Sequence, residues 1–127
     1  MLKKLSEEQL ERLLEAGVGE FALRGLAGTN MRTIADRAGS SVGALYKYSG
    51  DKERFFRACL DRSLEALDRT LAEVTSEEAG FREYARRIIR ALLRFSREHA
   101  GYVRLYCVLA ASGGEEARRL AGEIEGV

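Results

Sequence analysis

Proline and tryptophan are absent from this chain of 127 residues, and histidine occurs once and cysteine twice. Without proline the usual helix breaker is missing, and Leu, Ala, Glu and Arg far outweigh Val and Ile, so an all-α chain is expected. The one histidine, His99, has no cysteine or carboxylate at catalytic or metal-ligand spacing, and no glycine loop suited to phosphate occurs. An enzyme, a metal and a cofactor are therefore not expected. Cys59 and Cys107 lie in apolar helical contexts without a CxxC pair and read as buried thiols. No apolar run reaches the length of a bilayer span, and MLKKLSEEQL lacks the apolar core of a signal peptide, so a cytoplasmic protein with no membrane partner is expected. Charge of one sign is scarce as well: 21 Lys and Arg face 20 Asp and Glu, a net charge of +1. That balance excludes a strongly basic chain, so any nucleic-acid contact must use a local patch. Between Leu26 and Lys52, Arg32, Arg37, Lys47 and Lys52 stand against Asp36 and Asp51.

What the chain has in plenty is helical periodicity. Ser6-Glu7-Glu8-Gln9 is a capping box that starts a first helix, with Leu10, Leu13, Leu14, Val18 and Phe21 on one side. Glu7, Glu11, Arg12, Glu15 and Glu20 are assigned mostly to the other side. Gly17 and Gly19 each weaken such a helix by about 1 kcal/mol relative to alanine, or else admit a close neighbour. Gly25 ends it. Met31, Ile34, Ala35 and Ala38 then share one face of a short helix capped by Asn30. Gly39 leaves that helix in the left-handed conformation, and Ser41 caps a second short helix, Val42 to Tyr48. Two short helices joined through a glycine form a helix-turn-helix pattern, whose second helix enters the DNA major groove.

Three longer patterns follow. Asp51 caps a helix from Lys52 to about Val74, with Phe55, Phe56, Cys59, Leu60, Leu64, Leu67 and Leu71 on its apolar side. Ser76 is a candidate cap for the next, Phe81 to His99, which is apolar at Phe81, Tyr84, Ala85, Ile88, Leu92 and Phe95. The polar side of that helix carries Arg82, Arg86, Arg87, Arg90, Arg94 and Arg97. It reads as a solvated face paired with acidic residues of the preceding helix, the sharper alternative being a second nucleic-acid surface. Gly101 breaks the chain before a segment from Tyr102 to Ala111, apolar nearly all round except for Arg104 and expected to be buried or to form part of an interface or pocket. Ser112-Gly113-Gly114 is a further break, with a helix start at Glu115 and Glu116.

The strings MRTIADRAG, S-x-GALYKY and DKE closely resemble the DNA-binding domain of TetR-family transcriptional regulators, over about Leu10 to Leu60. The resemblance implies a helix-turn-helix DNA-binding domain over residues 1–50. Residues 51–127 would form a helical ligand and dimerisation region that is incomplete beside the usual family length, as in a fragment or a short variant. It also implies a ligand-responsive repressor that binds a palindromic double-stranded DNA operator as a homodimer, with a small apolar effector. In this frame Ser41 caps the recognition helix beside phosphate, Gly43 lets that helix approach the groove, and Val42 and Ala44 meet thymine methyls. Tyr46, Lys47 and Lys52 approach phosphates, Thr29 and Thr33 flank the backbone, and Leu45 and Tyr48 face inward. Candidate effector contacts are Leu64, Leu67, Tyr84, Ile88, Leu92, Phe95, Tyr102, Tyr106 and Leu109. Ser40, Val42 and Ser49 depart from residues frequent in the family. They leave open a second reading, a helical ligand-binding or protein-interaction module with a weakened DNA-binding motif.

Overall fold

The computed structural model describes residues 5–74, 80–111 and 122. Among the described residues the chain forms α1 (Glu7–Gly28), α2 (Met31–Ala38), α3 (Val42–Ser49), α4 (Lys52–Ala72), α5 (Phe81–Glu98) and α6 (Ala100–Ala111). The all-α expectation holds. Ser76, the Ser112–Gly114 break and the helix start at Glu115 lie outside the described residues.

The caps read from the sequence are in place. Ser6 Oγ accepts from the Gln9 amide at 3.2 Å while Gln9 Oε1 accepts from the Ser6 amide at 2.9 Å, a reciprocal capping box. Asn30, Ser41 and Asp51 each accept a backbone amide at the start of α2, α3 and α4. Gly25 breaks α1 with φ of 75° and ψ of 176°, leaving one extra turn from Leu26 to Gly28. Gly39 adopts φ of 71° and ψ of 28°, the left-handed geometry that closes α2.

One core holds both halves of the chain. Leu13, Phe21, Ile34 and Leu45 from α1–α3 are buried in the same cluster as Phe55, Phe56, Cys59 and Leu60 of α4 and Leu105 of α6. Phe21 meets Phe56 edge-on with ring centroids 4.9 Å apart. Burying each such ring contributes about 1.5–3 kcal/mol. Gly17 explains how α4 comes so close to α1: a Cβ there would stand 2.5 Å from Phe55 Cε2. Arg62 of α4 also pairs with Glu11 of α1.

Several local expectations change. Gly101 does not break the chain; the break falls at His99 (φ −128°, ψ 52°), and Gly101 sits inside α6, where a Cβ would come 3.2 Å from Val18 Cγ1. Close contact with α1 is what selects glycine there. Cys107 is exposed, because α6 turns one side outward and fully buries only Leu105. Glu20, assigned to the solvent side of α1, is only 3% exposed. It lies seven residues after Leu13 and three after Gly17, which places it on the packed face. In α5 the apolar arc is wider than the core uses: Ala91 and Phe95 are buried, while Phe81 (87% exposed), Ile89 and Leu93 face outward.

Candidate nucleic-acid interface

The motif is held to α1 and α4 by a small number of polar ties. The Thr29 hydroxyl donates to the Gly25 carbonyl at 2.6 Å, with the Glu20 carbonyl at 3.2 Å. Lys52 Nζ donates to the carbonyls of Thr29 at 3.2 Å and Ala27 at 3.4 Å, so the first residue of α4 caps the end of α1. At the other end of α2, Arg37 Nη1 lies 2.6 Å from Glu20 Oε1, and Arg24 Nε lies 2.9 Å from Glu20 Oε2. The Arg37 hydrogen bond leads in holding the Glu20 carboxyl below its usual range, with Arg24 adding to it and burial opposing.

α3 is fixed from inside by Leu45, its one fully buried residue, and at its start by Ser41 Oγ, 3.1 Å from the Ala44 amide. Ser41, Gly43, Tyr46 and Lys47 are exposed, and Val42, Ala44 and Thr33 are half-buried. Gly43 sits on open surface: no described atom lies within 4 Å of where its Cβ would stand. Ser49 Oγ donates back to the Leu45 carbonyl at 3.1 Å, whereas Ser40 Oγ is buried without a partner among the described residues.

Three sequence expectations are corrected by this geometry. Thr29, expected to flank DNA, is 4% exposed with its hydroxyl committed inside the protein, so its side chain shapes the α1–α2 turn. Lys52 is only half-exposed, and its ammonium caps α1. Tyr48, expected to face inward, is 42% exposed because α3 is eight residues long and its last turn reaches past the edge of the core. Sequence reasoning missed the Glu20–Arg37–Arg24 cluster. Its trace was a carboxylate on the apolar stripe of α1 with an arginine four residues on.

Residues 13–59, which span this motif with most of α1 and the start of α4, match the family described as bacterial regulatory proteins, tetR family. The chain belongs to the TetR family. It is 31% identical over 111 residues to the HTH-type transcriptional repressor KstR2 of Mycobacterium tuberculosis, covering 87% of this chain and 52% of that protein. It is 26% identical over 106 residues to the nucleoid occlusion factor SlmA of Haemophilus ducreyi, covering 83% and 52%. A TetR-like transcriptional regulator from Rhodococcus sp. RHA1 matches with a TM-score of 0.81 at 27% identity, over 93% of this chain and 62% of that one. The chain spans about half the length of the curated relatives it matches.

In this TetR-family chain the nine candidate effector contacts are only partly gathered. Tyr102, Tyr106 and Leu109 of α6 pack against the core, and burial raises the Tyr106 phenol above its ordinary pKa. Phe95 is buried with its ring centroid 6.3 Å from that of Tyr102, whose face stacks on His99 at 5.1 Å. Leu64, Leu67, Tyr84 and Ile88 are half-buried, and Leu92 is 41% exposed, on the outer side of α5. Among the described residues two of the clefts flank α5, and none of the nine lines either. One, of about 390 Å³, is lined by Glu73, Val74, Arg87, Arg90, Ala91 and Arg94; the other, of about 620 Å³, includes Phe81, Ala85, Ile89 and Arg90. Of the acidic partners expected on α4, Glu73 lies 3.7 Å from Arg94, while Arg86 and Arg87 pair with Glu83 of their own helix. No helix among the described residues is long and apolar enough to cross a membrane.

Proposed function

We propose that this chain is the DNA-reading part, with the adjoining helices, of a transcriptional repressor that binds a palindromic operator as a homodimer and is released by a small apolar effector. Gly43 carries the reading. It costs α3 about 1 kcal/mol relative to alanine, yet no described residue stands against it, so we read the freed space as serving something outside the chain. A groove wall is such an object. Val42 and Ala44 then meet thymine methyls, Tyr46, Lys47 and Thr33 reach phosphates, and the start of α3 beside Ser41 offers free amides to another. That the relative KstR2 is a transcriptional repressor supports the direction of regulation.

Residues 1–50 do the reading in this scheme, and residues 51–127 belong to the regulatory region. An effector among Leu64, Leu67, Tyr84, Ile88, Phe95, Tyr102, Tyr106 and Leu109 would shift α4. Because Lys52 ties α4 to the α1–α2 turn, such a shift reaches the motif and alters the separation of two recognition helices. The bonds of Arg37 to Glu20 and of Lys52 to the Thr29 carbonyl favour one other reading, an interaction module whose DNA-binding motif has weakened.

Binding of the full chain to the DNA upstream of its own reading frame, at two salt concentrations, separates the two. The repressor reading expects Tyr46→Ala and Lys47→Ala to weaken binding, Lys47→Ala also lowering the salt slope by about one unit. Binding without a salt slope, unchanged by either substitution, would refute it.

A further inference from the structure

The two ends of α2 are held differently. Its start follows the Thr29 hydroxyl and the Lys52 ammonium, which fix the α1–α2 turn. Its end leads into the Gly39–Ser41 turn, which sets where α3 points. Gly39 is free of side-chain constraint, and Ser40 Oγ makes no hydrogen bond. Among the described residues the polar tie from this end of α2 to α1 is Arg37, in the last turn of α2, bonded at 2.6 Å to Glu20. Gly19 lies beside it, where a Cβ would meet Arg37 Nη1 at 3.7 Å, an ordinary contact. Both Glu20 oxygens are occupied, one by Arg37 and one by Arg24, and the carboxylate is almost wholly withdrawn from water. A carboxylate withdrawn from water and bonded at both oxygens is more constrained than an exposed ion pair, because little water is at hand to replace a lost partner.

The geometry points to Glu20 as a positioning residue for DNA recognition: by holding Arg37 against α1 it fixes the end of α2, and through the Gly39–Ser41 turn it aims α3. This rests on the DNA-reading function proposed above. Arg37 is then a half-exposed strut between α2 and α1 rather than a phosphate contact, although it stands among the few cations of the motif.

The test measures binding of full-length wild type, Glu20→Gln, Arg37→Gln and the double variant to the upstream DNA across a salt series. Circular dichroism confirms that each is folded at the assay temperature. A positioning role predicts that each single substitution weakens binding about tenfold with the salt slope unchanged, and that the double variant is no worse than the weaker single. Arg37→Lys, which keeps the charge and part of the bond, should recover part of the loss. If Glu20→Gln proves unstable, Arg37→Gln decides, since that side chain is half in solvent and its loss leaves Glu20 with Arg24. A lower salt slope for Arg37→Gln, with unchanged or tighter binding by Glu20→Gln, would make Arg37 a phosphate contact and overturn the assignment. Wild-type affinity in all folded variants would overturn it too, leaving a role in stability alone. Failure of the wild type itself to bind DNA would instead remove the underlying function, and this inference with it.

Discussion

Replacing Gly17 by alanine tests the closest approach in the fold. In a solvent-facing helix the change stabilises by about 1 kcal/mol through backbone propensity. Here the new methyl would stand 2.5 Å from Phe55 Cε2, 2.8 Å from Cys59 Sγ and 2.9 Å from Phe55 Cζ. Carbon atoms rest at about 3.5–4.0 Å, so the ring is short of space by about 1 Å. Phe55 and Cys59 are fully buried and have no solvent to retreat into. Overpacking of this kind costs about 1–3 kcal/mol, and a ring without escape belongs in the upper part of that range. After the propensity gain, Gly17→Ala should destabilise the chain by about 1–2 kcal/mol, lowering the melting temperature by about 3–8 °C. Gly19→Ala is the matched control, since its methyl would meet nothing closer than Arg37 Nη1 at 3.7 Å and should stabilise by about 1 kcal/mol. Urea and thermal melts followed by circular dichroism measure both. Equal responses at the two glycines, or a Gly17→Ala chain as stable as wild type, would refute the packing argument. Phe55→Leu in the Gly17→Ala background should recover part of the loss.

Leu45→Ala removes the one fully buried anchor of α3 and should cost about 2–5 kcal/mol in urea melts, with DNA binding lost at the same time. Ser40→Ala deletes a buried hydroxyl that has no partner and should raise stability by about 1 kcal/mol, which a melting curve reads directly. Glu20 has a folded-state pKa below its ordinary 4.5, so its contribution is present above pH 4.5 and is lost as the pH falls through the lower folded value. Melts between pH 6 and pH 3 should therefore show the wild-type advantage over Glu20→Gln shrinking below pH 4.5. An advantage that stays constant to pH 3 would show that the carboxylate is not held by its arginines.

The sequence disclosed the parts of the fold governed by local rules. Ser6, Asn30, Ser41 and Asp51 cap the helices assigned to them, and Gly39 closes α2 in the left-handed geometry, because caps and turns depend on residues within four positions. Interhelical properties were harder to see. Gly17 was recognised as either weakness or close packing, and only the position of Phe55 decides between them. Glu20 looked like solvent-facing charge until Arg37, seventeen positions away, provided its partner. Thr29 and Lys52 have residue types suited to DNA contact, but their polar atoms turn to carbonyls of α1, a choice that depends on where α4 begins. On α5, periodicity marked one continuous apolar stripe. It could not tell Phe95, which meets the core, from Phe81 and Leu92 of the same stripe, which are exposed.

The contrast between the two cysteines has a practical consequence. Cys59 is fully buried against α1, its thiol 3.8 Å from the Leu14 carbonyl, and burial pushes its pKa up, so little nucleophilic thiolate forms near neutral pH. Cys107 is exposed on α6. The native chain therefore offers a single chemically addressable point, where a maleimide dye or spin label attaches once per molecule without any substitution. Its place on the helix that packs against α1 through Gly101 and Val18 makes it a spectroscopic window on that contact.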